Sequence, residues 1–132
     1  MAILPGGGKI LVVDDDPAVA RSLELIFLSR AYTVRVAHSA EQAIETIASW
    51  QPEVAIIDVM LPHMNGIELG AAVKANYPQC GVVLVSGHPG TDELLETARL
   101  QGHSFEILPK PLHPTHILDL VAGLMPKMTG DA

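Results

Sequence analysis

Three consecutive carboxylates, Asp14, Asp15 and Asp16, follow the apolar run Ile10-Leu11-Val12-Val13, and a fourth, Asp58, follows a second run, Val54-Ala55-Ile56-Ile57. Two carboxylates ~5 Å apart repel by roughly 1 to 3 kcal/mol for dielectrics between those of bulk water and a protein surface. A pattern of this kind calls for a cation. Hard oxygen ligands with no His or Cys beside them match Mg²⁺, which takes a few carboxylates and completes its shell with waters and phosphate oxygens. Two more polar groups end apolar runs: Ser86 after Val82-Val83-Leu84-Val85, and Lys110 within Leu108-Pro109-Lys110-Pro111. A hydroxyl and an ammonium converging on a carboxylate are what a phosphorylated carboxylate needs for its anionic oxygens. Taken singly, each has a plainer use: Asp16 as a helix cap as readily as a metal contact, Ser86 in loop chemistry, Lys110 as a surface lysine.

These residues share a site only if the elements before them lie side by side. Five apolar runs, at residues 9–13, 33–37, 54–57, 82–85 and 105–108, alternate with five helix-like segments, which implies an α/β fold with a parallel sheet covered on both faces. The first, third and fourth runs are continuously apolar and belong in the middle, whereas Arg35 and Glu106 interrupt the second and fifth, which suit edges. The doubly wound order 2-1-3-4-5 satisfies this, and it opens a crevice beyond the carboxyl ends of strands one and three, where Asp14–Asp16 and Asp58 would meet.

The helices carry their own signals. Pro17 suits a first helical position, ahead of Val19, Leu23, Ile26 and Phe27 on one face. Ser39 and Gln42 form a capping box before Ala40, Ala43, Ile44 and Ile47. Pro114 opens the last helix, whose stripe is Ile117, Leu120, Val121 and Leu124. The fourth, at about 92–101, has the thinnest stripe, Leu94, Leu95 and Ala98, and stops near Gly102, as suits a movable element.

A chain of 132 residues, 48% hydrophobic and 17% charged, fits one globular domain. Eight basic against fifteen acidic residues, a net charge of -7, argue against direct nucleic-acid binding or an anionic membrane surface. Cys80 is alone, no signal-peptide pattern opens the chain and no apolar run could span a bilayer, so a soluble cytoplasmic protein is expected. The opening Gly6-Gly7-Gly8-Lys9 is not a phosphate loop, because a strand follows it and Ile10 replaces the required Ser or Thr. Residues 1–8 read as a flexible leader and 126–132 as a frayed tail. His38, His63, His103, His113 and His116 form no convincing ligand set. Cys80 and Trp50 are expected to pack or to sit at element ends.

The stretches ILVVDDDP, AIIDVMLPHMNGIEL, VVLVSGH and LPKP, in this order and each at a strand end, make residues 9–125 resemble the receiver domain of the two-component response-regulator family, of the chemotaxis-regulator type. The resemblance implies a flavodoxin-like (βα)5 fold. It implies that Asp58, in a D-x-x-x-P-x-x-x-G context completed by Pro62 and Gly66, accepts a phosphoryl group from a histidine kinase or a histidine phosphotransfer protein. Asp15 resembles the direct Mg²⁺ ligand and Asp14 the one acting largely through water, with Met60 supplying a backbone carbonyl. Ser86 stands where a hydroxyl turns toward the phosphoryl group, Lys110 resembles the lysine that pairs with it, and the Lys110-Pro111 bond is expected to be cis. The added charge would bias the fourth helix and fifth strand, switching a face for a downstream protein, an output domain or a phosphorylation-dependent homodimer. Apart from self-phosphorylation and self-dephosphorylation at Asp58, no enzymatic activity is implied.

Three departures from the family pattern stand out. Ile107 occupies the usual aromatic position three residues before the lysine, with Phe105 two residues earlier on the same face. The stretch after Gly102 is about one residue longer than the common pattern, which leaves the register there open. Met60 and His88 fall where the family tunes hydrolysis and offer no carboxylate or amide, which suggests a persistent acyl phosphate. An aspartate-nucleophile phosphatase is a rival reading, but its D-x-D-x-T or D-x-D-x-V pattern fails at Ala18, and there is no cap domain to enclose a substrate. A binding module that never takes phosphate is disfavoured because every acceptor position is filled. With no output domain in the sequence, either a free-standing regulator or a part of a larger one fits.

Overall fold

The computed structural model describes residues 8–87, 91–102 and 105–126, at 91, 92, 94, 95 and 98 the backbone alone. Its elements in chain order are β1 (Lys9–Val13), α1 (Pro17–Leu28), β2 (Thr33–Ala37), α2 (Ala40–Ser49), β3 (Val54–Asp58), α3 (Gly66–Asn76), β4 (Gly81–Ser86), α4 (Thr91–Leu100), β5 (Glu106–Pro109) and α5 (Pro114–Leu124). All four strand pairings are parallel and the order is β2-β1-β3-β4-β5, the doubly wound, flavodoxin-like arrangement expected from the runs.

The continuous apolar runs are explained by burial on both faces. Leu11, Val13, Ala55, Ile57, Val82 and Leu84 pack with Ala43 and Ile47 of α2 and Leu69 and Val73 of α3. Their strand neighbours Ile10, Val12, Val54, Ile56, Val83 and Val85 pack with Leu23 and Phe27 of α1 and Ile117 and Val121 of α5. Each Val, Leu, Ile or Phe among them contributes roughly 1.5 to 3 kcal/mol when fully buried. Trp50 is half-buried against the first of these clusters, with the Arg35 guanidinium 4.9 Å from its ring centre.

Helix starts obey local chemistry. Asp16 caps α1 through a carboxylate oxygen that accepts from the Ala18 amide at 2.9 Å, and Pro17 follows as the first helical residue. Ser39 caps α2, but the expected box is only half formed: the Gln42 side chain accepts from the amide of His38 at 2.8 Å rather than from Ser39. A complete box, Asn65 with Glu68, instead opens α3. The stop after α4 is as expected, with Gly102 at φ +91.

The strand ends differ from expectation by one residue, in ways that matter for the site. β3 extends to include Asp58 and β4 to include Ser86, because the ladder continues through Asp58 opposite Val85 and Ser86 opposite Pro109. The fifth strand begins at Glu106, not Phe105, because Glu106 is the first residue paired with β4, opposite Val83. The Phe105 ring reaches Gly70, where an added Cβ would stand 3.2 Å from it. The side chains of Leu94, Leu95 and Ala98 of the thin α4 stripe lie outside the described ones, as do residues 1–7, His88, His103 and 127–132. Among the described residues no helix is long and apolar enough to cross a membrane.

Candidate functional site

The carboxyl edge of the sheet brings together acids from two distant segments. Asp14 follows β1, Asp58 ends β3, and the strands are in register up to Val13 opposite Ile57. One carboxylate oxygen from each of Asp14, Asp15 and Asp58 lies within 4.8 Å of the other two. Asp14 and Asp58 are buried, 2% and 5% exposed, while Asp15 is open to solvent. Asp16 is absent from this cluster, and its observed contact is the cap on α1.

Local bonds aim the two buried carboxylates. Asp14 Oδ1 accepts from the Asp16 amide at 2.9 Å, and Asp58 Oδ1 accepts from the Met60 amide at 3.1 Å. Both are Asx turns, in which the side chain bonds to the backbone two residues on. The remaining oxygens meet one cation: Lys110 Nζ is 3.3 Å from Asp58 Oδ2 and 3.7 Å from Asp14 Oδ2. Burial pushes the Asp14 carboxyl up from its ordinary value, and the charges of Asp58 and Asp15 push the same way. The Asp16 amide and Lys110 oppose them.

Glycines let the neighbouring chain approach. A Cβ on Gly66 would stand 2.1 Å from the Asp58 carbonyl oxygen, so only glycine lets the first turn of α3 come this close. Its amide donates to Val59 O at 2.7 Å. A Cβ on Gly87 would stand 2.9 Å from Lys110 Cδ, so the lysine stem lies across the bare backbone after β4. The Lys110 amide donates to Ser86 O at 2.9 Å, which ties the two strand ends together. Ser86 is half-buried at the end of β4, and the Lys110-Pro111 bond is cis, as expected.

Three carboxylates converge, two of them on one ammonium, and each offers oxygen. That set fits a hard divalent cation, and Mg²⁺ in particular. His38, one of the histidines with no ligand set evident in the sequence, lies at this same edge, its Nδ1 3.1 Å from the Asp14 carbonyl oxygen. Its position directly after β2 is the one signal that could have found it. Ile107 is 44% exposed on β5, while Phe105 packs against the α2–α3 core. Cys80 is buried and its thiol is pushed up to about 11, which keeps it unreactive.

The family model described as response regulator receiver domain matches residues 10–122. The response regulator MprA of Mycobacterium ulcerans is 32% identical over 117 residues, which are 89% of this chain and 50% of that protein. The chain spans about half the length of the curated relatives it matches. Among solved structures, the signal receiver domain of an HD domain-containing protein from Pseudomonas fluorescens Pf-5 superposes with a TM-score of 0.81 at 27% identity, over 89% of this chain and 93% of that one. A CheY-like response regulator receiver domain protein from Methanospirillum hungatei JF-1 gives 0.79 at 26% identity, over 88% and 91%.

Proposed function

The chain belongs to the response regulator receiver domain family, and from that membership we propose that Asp58 accepts a phosphoryl group from a histidine kinase or a histidine phosphotransfer protein. The observation that carries the reading is a buried carboxylate, Asp58, at a strand end, with Lys110 3.3 Å away and two further acids beside it. One Asp58 oxygen attacks phosphorus as the donor's P–N bond breaks, and the imidazole leaves. The protein's part is positioning and charge stabilisation. Mg²⁺, held by Asp14, Asp15, Asp58 and the Met60 carbonyl, would neutralise charge on the phosphoryl oxygens. Lys110 pairs with a phosphoryl oxygen, and Ser86 donates to another.

The receiver unit comprises residues 9–125, with 1–8 and 126–132 as flanks, and works in the cytoplasm. Its catalysis is confined to its own phosphorylation and dephosphorylation. The added charge, nearly two units, shifts α4 and β5 and so alters a face read by a downstream protein, an output domain or a second copy. Phe105, packed over Gly70, and the exposed Ile107 leave this face without an aromatic side chain at the usual switch position.

The test is intact mass after exposure to acetyl phosphate, with and without Mg²⁺, for wild type and Asp58→Asn. One Mg²⁺-dependent, hydroxylamine-labile adduct is expected on the wild type and none on the variant. A wild type that is folded and Mg²⁺-bound yet takes no phosphate removes the reading in favour of a binding module.

A further inference from the structure

Asp14 is held at both ends of its peptide framework. Its amide donates to Ala37 O at 3.0 Å, a continuation of the β1–β2 ladder, while its carbonyl meets the His38 ring Nδ1 at 3.1 Å. The His38 backbone is itself anchored, because its amide donates to Gln42 Oε1 at 2.8 Å on the α2 side. A chain of bonds therefore runs from α2 through the His38 ring to the peptide that joins Asp14 to Asp15. That peptide sets where the exposed Asp15 carboxylate begins. Mutual repulsion of Asp14, Asp15 and Asp58 favours splaying of the loop; Lys110 opposes it at the carboxylates of Asp14 and Asp58, and the His38 ring opposes it at the Asp14 backbone carbonyl.

We infer that His38 is a positioning residue for the acidic site, its Nδ1–H holding the Asp14–Asp15 peptide so that the two carboxylates converge with Asp58. This rests on the Mg²⁺ reading above and adds a residue to it. A carbonyl oxygen only accepts, so Nδ1 carries the hydrogen and the neutral ring is the Nδ1–H tautomer, with Nε2 bare. The protonated ring donates from Nδ1 as well, so the tether does not depend on the charge of His38. Outer-shell partners that fix a ligand's orientation are known to tune metal affinity in this manner.

Two measurements test the inference. Long-range ¹H–¹⁵N correlation on the metal-free protein reads the His38 tautomer: Nδ1–H is expected, and a neutral ring protonated on Nε2 overturns the inference. Mg²⁺ titration by calorimetry then compares wild type, His38→Ala and His38→Asn. Loss of one positioning hydrogen bond is expected to weaken Mg²⁺ binding about three- to tenfold in His38→Ala, and His38→Asn, whose amide can donate from nearly the same place, is expected to recover most of it. Metal-free unfolding of the variants separates this from a merely structural role, which would lower the midpoint and leave Mg²⁺ affinity alone. Equal affinity in wild type and His38→Ala overturns the inference and leaves the functional reading standing. A wild type that binds no Mg²⁺ overturns the functional reading and the inference with it.

Discussion

Asp14 carries a cost that its neighbours only partly offset. Its carboxyl is held above the ordinary value by burial first and by Asp58 and Asp15 next. From the ordinary carboxylate value upward, the folded state therefore keeps more protons than the unfolded one, and stability falls as pH rises through the window between the two pKa values. Asp14→Asn removes that slope and can keep the bond from the Asp16 amide. The variant's metal-free thermal midpoint should match wild type below about pH 4 and exceed it at neutral pH. Thermal unfolding across pH in the presence of a chelator reads this directly, and a midpoint lowered at neutral pH would mean that the Lys110 ion pair outweighs burial. The residue is thus expected to trade fold stability for ligand geometry, a trade typical of functional sites.

At the scale of elements, the site depends on how closely α3 approaches the end of β3. Glycine at 66 and the Asn65–Glu68 capping box act together there: the box fixes where the helix begins, and the missing side chain lets its first turn touch the Asp58 backbone. Gly66→Ala would place a carbon against backbone rather than against the end of a flexible side chain, so the strand end or the helix must move. Overpacking of this kind costs about 3 kcal/mol, and chemical denaturation of the purified variant should show it as a midpoint shift with little change in slope. A change below about 0.5 kcal/mol would mean that the β3–α3 loop adjusts freely. Gly70, by contrast, faces side chains rather than backbone: an added Cβ would stand 3.2 Å from both the Phe105 ring and Val82.

For the molecule as a whole, the proposed Mg²⁺ site would make the fold's stability a function of the cation. A ligand that binds only the folded state stabilises it by about 2.7 kcal/mol at one hundred times its dissociation constant. Saturating Mg²⁺ should therefore raise the wild-type midpoint by about 10 °C, and Asp58→Asn or Asp14→Asn should lose most of that rise. Differential scanning calorimetry with and without Mg²⁺ checks it. An Mg²⁺ effect equal in all three proteins would place the cation elsewhere on this acidic surface. The net charge of -7 adds a general attraction for cations, which is why the comparison among variants, and not the rise alone, decides.

Much of this protein was legible in its sequence because the relevant signals are local or periodic. Unbroken apolar runs at residues 10–13, 54–57 and 82–85 suit the middle of a parallel sheet, buried on both faces, and the order 2-1-3-4-5, which satisfies this, brings Asp14 and Asp58 to one edge. Pro17, Ser39 and Gly102 marked helix ends by backbone chemistry that needs no distant partner. What the sequence left open depended on contacts across the fold. Asp16 could cap or ligate until the approach of β3 selected Asp14 and Asp15 as the partners of Asp58. Gln42 pairs with the His38 amide instead of closing the box on Ser39, and His38 reaches Asp14 across 24 residues of chain. Phe105 falls outside the strand, whose pairing with β4 begins at Glu106, and its ring lies against Gly70 of another element. Propensity and hydrophobic period act along the chain, whereas hydrogen bonds, close approach and charge act through space, and only the folded structure brings those partners within reach.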